Sequence, residues 1–167
     1  MDVLRAFVAP LYQDLDGVSR LGEIDRIASI ACHLHPGGDR AFELLLLLHG
    51  LGKWLEKIGN LSRMALATGI AEEELRAAMG AIRRLDDPRT DAERALAAAI
   101  LIDGAGVRGL AERFTRARRE GQSLMDVVRD ALADSWVPDW MPEAGRAMLE
   151  ERHAARRETC RKILAES

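Results

Sequence analysis

Aromatic side chains are scarce in this chain: three Trp, three Phe and one Tyr make up 4% of its 167 residues. Val, Ile and Thr are sparse beside Ala and Leu, and no stretch alternates apolar with polar residues at period two. Sheets draw on β-branched and aromatic residues, so their scarcity favours helix throughout. Cysteine is limited to Cys32 and Cys160, far apart and without metal-type spacing. Both read as small buried apolar residues in a reducing compartment. No charge sign dominates. The 24 Lys and Arg and 27 Asp and Glu are mixed along the chain, for a net charge of −3, which disfavours nucleic-acid binding. The longest apolar run, Leu44 to Leu48, falls far short of the about 20 residues a membrane helix needs. The first fifteen residues carry Asp2, Arg5 and Asp14 in an amphipathic pattern unlike a signal peptide. A bacterial-type cytoplasmic location is the resulting expectation.

What is present is apolar and helical. Hydrophobic residues are 48% of the chain, enough for a single domain over 1–167 with a proper core. Apolar residues recur at i, i+3, i+4 and i+7, and breakers mark the joints. An all-α domain of seven to nine helices is expected. Pro10 should kink or stop the first helix, and Asp16-Gly17 a turn before a second helix from about Ser19 to Leu34. His35-Pro36-Gly37-Gly38 ends that helix, and Asp39 can cap the next. Later helices are expected near 61–67, 71–85 and 90–103, then one stopping at Gly121 and one capped by Ser123. Thr90 and Glu93 have capping-box spacing. Trp136-Val137-Pro138-Asp139-Trp140 reads as a non-helical corner, its tryptophans closing the core edge or, if exposed, marking an interface. Pro142 suits the first turn of a last helix with Leu149, His153, Cys160, Ile163 and Leu164 on its apolar side.

The stretch Ala41 to Lys53, AFELLLLLHGLGK, stands out. A helix from Arg40 to about Lys57 places Phe42, Leu45, Leu46 and His49 on one face, with Lys53 a turn later. Gly50 and Gly52 either let another backbone approach or end and restart the helix. His33 and His35, two apart, face different ways and are not a metal pair. The basic run Arg116 to Arg119, next to Glu120, reads as a solvated face. No phosphate-cradling Gly-rich loop follows a strand, and no Ser-His-Asp or Cys-His set can be argued.

The segment His49-Gly50-Leu51-Gly52-Lys53-Trp54, with Asp25-Arg26-Ile27-Ala28 before it and Asp103-Gly104-Ala105-Gly106-Val107-Arg108-Gly109-Leu110-Ala111 after it, resembles the HD-domain superfamily of metal-dependent phosphohydrolases. The closing stretch Ala144-Gly145-Arg146-Ala147 and Glu151-Arg152-His153 is similar to the last helix of small single-domain bacterial members. The resemblance implies a helical domain whose metal is held by His, a His-Asp pair and a later Asp, converging to polarise a phosphoryl group and activate water. This chain departs from that pattern. Glu23 aligns with the first His and Gly50 replaces the Asp after His49. Ile100 aligns with the last Asp, although Asp103 is close enough for a short alignment slip to recover it.

The resemblance therefore implies a degenerate HD-type domain with a dismantled metal site, leaning away from enzymatic activity. Its pocket candidates are Glu23, Arg26, His49, Lys53, Asp103 and Arg113, with Arg26 and Arg113 able to neutralise Glu23 or Asp103. No cofactor is expected on this reading, and the partner is a small phosphorylated ligand or a protein. Two alternatives stay open. One is a working metal-dependent phosphohydrolase acting on a nucleotide or other phosphate ester, its divalent ion held by Glu23, His49 and Asp103. The other is a structural or homodimerising helical protein with Trp136 and Trp140 at the contact. A membrane partner is not expected.

Overall fold

The computed structural model describes residues 1–13 and 20–166, and over these the protein is all-α. Its helices are α1 (Asp2–Val8), α2 (Leu21–Leu34), α3 (Arg40–Leu48), the single turn α4 (Gly52–Leu55), α5 (Asn60–Thr68), α6 (Glu72–Ile82), α7 (Asp91–Ala105), α8 (Val107–Glu120), α9 (Leu124–Ala133) and α10 (Glu143–Ala165). The expected turn at Asp16-Gly17 and helix start at Ser19 lie outside the described residues. No described helix is long and apolar enough to cross a membrane. The chain forms two compact units, Met1–Ala97 and Ala98–Ser167.

In the first unit α3 is the centre, packed against α1, α2 and α6. Its leucine run explains this. Leu44, Leu45, Leu46 and Leu48 are all buried, and four leucines in five positions wrap the helix rather than marking one stripe, so it needs neighbours on several sides. Each contributes about 1.5–3 kcal/mol by leaving water. The Asp39 carboxylate accepts from the Phe42 backbone N–H at 2.9 Å, as its N-cap position predicts. The helix is shorter than the sequence suggests. It ends at Leu48, tightens into a 3₁₀ turn over His49–Leu51 and restarts as α4, so the two glycines end and restart it. Pro10 acts similarly: α1 stops at Val8 and a 3₁₀ turn runs over Ala9–Tyr12.

The second unit packs α10 against α9 and α8, and α8 against α9. Leu110, Ala117, Val127, Val128, Ala131 and Cys160 form its core cluster, with Phe114, Leu132, Ile163 and Leu164 packed against it. α8 begins at Val107, even though glycines surround its first turn. At Gly109 a Cβ would lie 1.8 Å from the Gly104 carbonyl oxygen, so only glycine allows this approach. Ser123 holds the N-cap position of α9 but its side chain makes no capping bond. Cys32 is exposed, not buried, whereas Cys160 is buried. Trp136 is 64% exposed, so it does not plug the core edge; Trp140 is half-buried.

The capping box at the start of α7 is formed as its spacing predicts. Thr90 Oγ1 accepts from the Glu93 N–H at 3.2 Å, while Glu93 Oε2 accepts from the N–H groups of Arg89 at 2.7 Å and Thr90 at 3.4 Å. Arg84 Nη2 donates to the other Glu93 oxygen at 2.6 Å. Glu93 is only 2% exposed. Burial pushes its carboxyl up, but the Arg89 N–H, Arg84 and the Thr90 N–H outweigh that and hold it below its ordinary value of 4.5. Its stabilisation is therefore complete above that value and lost as pH falls through the lower folded one. Glu93→Ala, which leaves two backbone donors and Arg84 without an acceptor, should cost about 2–3 kcal/mol by urea unfolding at pH 7, and that cost should shrink on acidification. A loss under about 0.5 kcal/mol, the size of a neutral surface substitution, would contradict this.

Candidate functional site around the end of α3

The end of α3 leaves backbone carbonyls without intrahelical partners, and two side chains take them. His49 Nδ1 lies 2.9 Å from the Leu46 carbonyl oxygen. A carbonyl only accepts, so Nδ1 carries the proton and Nε2 of the neutral ring keeps its lone pair. The Tyr12 hydroxyl donates to the Leu47 carbonyl at 2.6 Å, and the nearby Gly50 backbone N–H favours the ionised phenol, against the larger effect of burial. One phenol thus ties down the last turn of α3 and packs against the 3₁₀ turn that follows it. Tyr12 reaches this place as the third member of a buried stripe, Leu4, Val8 and Tyr12, at four-residue spacing. Burial lifts its hydroxyl far above the ordinary tyrosine range, so it remains protonated and able to donate.

Gly50 matters here for space. A Cβ at this position would meet Tyr12 Cε1 at 2.7 Å and both Ile24 Cδ1 and the Tyr12 oxygen at 3.3 Å. The place where a side chain at position 50 would begin is occupied by the tyrosine ring. Glycine and Tyr12 are therefore complementary, and any larger residue beside His49 requires the ring to move.

Glu23 and His49 share this corner, since the Glu23 charge is felt at both the His49 and Tyr12 side chains. Glu23 is already engaged: Arg20 Nε and Nη2 approach its carboxylate at 3.0 and 2.9 Å. The Arg20 backbone N–H also donates to the Tyr12 carbonyl at 2.8 Å. The guanidinium on Glu23 is thus that of Arg20, while Arg26 Nη1 donates to the Gly22 carbonyl at 2.9 Å. Lys53 sits in α4 and is exposed. Burial lowers the His49 imidazole below its ordinary value of 6.5, against the raising effects of the Leu46 carbonyl and Glu23. Among the described residues, no three His, Cys, Asp or Glu side chains converge as a metal site would require.

Asp103 and Arg113 belong to the second unit. Asp103 is half-buried in the last turn of α7. Arg113 Nη2 donates to Asp134 Oδ2 at 2.7 Å, and Arg156 Nη2 donates to the Asp134 backbone carbonyl at 2.5 Å. Burial pushes the Asp134 carboxyl up, but the Arg113 bond and the Arg156 and Arg113 charges hold it below its ordinary range. His153, on the apolar side of α10 as expected, is buried, and burial followed by the Arg156 charge keeps its imidazole low. His35 packs edge-on against Phe42 at 5.0 Å between ring centroids, a structural role.

Tyr12, Arg20, Asp134 and Arg156 are absent from the residues picked out by sequence. Two of them carry a legible signal. Tyr12 extends the Leu4, Val8 stripe by one turn. Arg156 falls on the Leu149, His153, Cys160 stripe, where an arginine is out of place unless it has a partner.

Two outcomes check this corner. Gly50→Ala should destabilise the protein by about 1–3 kcal/mol, the usual cost of an atom forced into packed space, and Tyr12→Ala in the same chain should remove most of the additional cost. Simple additivity of the two substitutions in denaturant unfolding would contradict the contact. The lowered His49 imidazole contributes stability that is complete above 6.5 and is lost as pH falls toward its lower folded value. His49→Gln should therefore flatten the fall in unfolding free energy between about pH 7.5 and 5; an unchanged slope would show that His49 is not the buried neutral group described.

No family model, curated protein or solved structure matches this chain, so a functional reading rests on the geometry of its own side chains.

Proposed function

We propose that this protein is a non-catalytic binding or regulatory protein of the bacterial cytoplasm, a degenerate HD-type domain in which a tyrosine has taken over the ground beside the surviving histidine. The observation that carries the reading is the fit of Tyr12 against Gly50, where a Cβ would lie 2.7 Å from the ring. A metal centre of the HD kind needs a carboxylate at that position beside the imidazole. Here the position has no side chain, and the ring, held by its hydrogen bond to the Leu47 carbonyl, occupies the approach.

The remaining groups suit recognition better than turnover. His49 Nε2 offers one acceptor, and Lys53 one exposed cation a turn away. Glu23, whose charge is felt at His49, is spent on Arg20. Such a set can hold a small phosphorylated ligand or a protein surface, but supplies neither a bridging carboxylate nor a dedicated general acid to a phosphate ester.

Metal content and turnover decide the matter in solution. Protein purified and then incubated with manganese or nickel should retain no stoichiometric ion and should not hydrolyse p-nitrophenyl phosphate or its diester above background. A nucleotide panel should include members that raise the melting temperature with dose, with the rise reduced in Lys53→Ala. Metal retained at one ion per chain together with ester hydrolysis abolished by His49→Ala would overturn the proposal in favour of a working phosphohydrolase.

A further inference from the structure

The second unit contains a cavity of about 330 Å³ whose lining includes Ile100, Arg113, Asp134, Trp136, His153 and Arg156. Its chemistry is unlike the rest of the unit. Arg156 is completely buried, with 0% exposure, inside a helix packed among alanines, leucines and valines. Its Nη2 is used on the Asp134 carbonyl. Its Nη1 is 3.3 Å from Asp134 Oδ2, in ion-pair range, but neither Nη1 nor Nε has a hydrogen-bond acceptor in the protein. Asp134 also accepts from Arg113. Two guanidiniums therefore share one carboxylate, and the group carries one surplus positive charge with buried donors unspent. A buried donor without an acceptor and an uncompensated buried charge are both costly. Native proteins keep such a group where something else completes it.

What would complete it is constrained by charge, size and walls. A surplus of one matches a monoanion, and the Asp134 carboxylate, which stays in the site, repels a dianion. The volume sits near the lower end of small-ligand pockets. Ile100 and Leu149 provide apolar wall. Trp136 lines the cavity and is 64% exposed, so much of its indole is not consumed by packing. A planar apolar group can stack there.

We propose that this cavity binds a small aromatic carboxylate, its anion anchored by buried Arg156 with Arg113 beside it and its ring stacked on Trp136. The site is independent of the HD-type reading, since every residue it uses lies in the second unit and none takes part in the corner around His49. The surplus charge gives selectivity for acids over their neutral amides, because an amide leaves the guanidinium donors only a weak acceptor and no compensating charge.

The test uses the full chain, with 1-naphthoate as probe and 1-naphthamide, acetate, inorganic phosphate and phenyl phosphate as comparisons. Naphthoate should raise the melting temperature with dose and quench tryptophan fluorescence, and the quench should disappear in Trp136→Phe only in the part due to Trp136. Arg113→Gln and Trp136→Ala, both at partly or largely exposed positions, should each weaken naphthoate at least roughly tenfold, the scale of one charge-assisted bond or one stacking contact. Arg156→Met leaves Asp134 paired with Arg113 and removes the surplus charge; this variant should keep its far-UV dichroism and lose binding. Tighter binding of phosphate or phenyl phosphate than of naphthoate would overturn the proposal. So would equal binding of the amide, unchanged affinity in R113Q and W136A, no binding at millimolar probe, or quenching of Trp136 that tracks protein dimerisation instead of ligand.

Discussion

The hydroxyl of Tyr12 is the single group on which the first unit's organisation depends. It donates to the Leu47 carbonyl, and its ring packs against Gly50, so it holds the point where α3 gives way to a tighter turn. Without it, a helix of nearly continuous leucine would end with buried polar backbone lacking partners, at a cost of about 1–3 kcal/mol for each group. The His49 ring performs the matching service for Leu46. Together they explain why the chain can break a buried helix after Leu48 and start again at Gly52. The same arrangement explains why position 50 is glycine: the ring that carries this hydroxyl fills the volume that a side chain would need.

This has a chemical consequence. A histidine followed by a carboxylate at a helix end is a metal-gripping pair, whereas a histidine followed by glycine under a tyrosine ring is a helix terminus. The imidazole here is turned to its own helix through Nδ1, and burial keeps it neutral. Glu23 is drawn to Arg20. His49 Nδ1 and the Glu23 carboxylate thus each have a local structural partner. The second unit shows the opposite imbalance. There Arg156 is buried with donors to spare, and Asp134 alone answers two arginines.

Much of the architecture was legible because it follows from spacing and breakers. The all-α character, the Asp39 cap, the Thr90–Glu93 capping box, the stop at Gly121 and the corner before α10 all rest on local chemistry that a linear reading can see. The break after Leu48 was left open between close approach and helix termination, because two glycines permit either. What decides it is a residue 35 positions away in sequence, Tyr12, and no local rule points to it. The ion pairs show the same limit: Glu23 meets Arg20 and Arg113 meets Asp134. Pairing among abundant arginines is set by packing, which sequence spacing does not encode beyond one helical turn.

Manganese titration followed by NMR of the histidine ring protons tests the central claim most directly, because the ion broadens only what it approaches. The account predicts that His49 signals stay sharp, and report a neutral ring protonated at Nδ1, at manganese levels that broaden exposed His33. Selective broadening of His49 at substoichiometric manganese, with loss of the Tyr12 hydroxyl bond, would contradict it, since the ring would then have yielded its place to a cation.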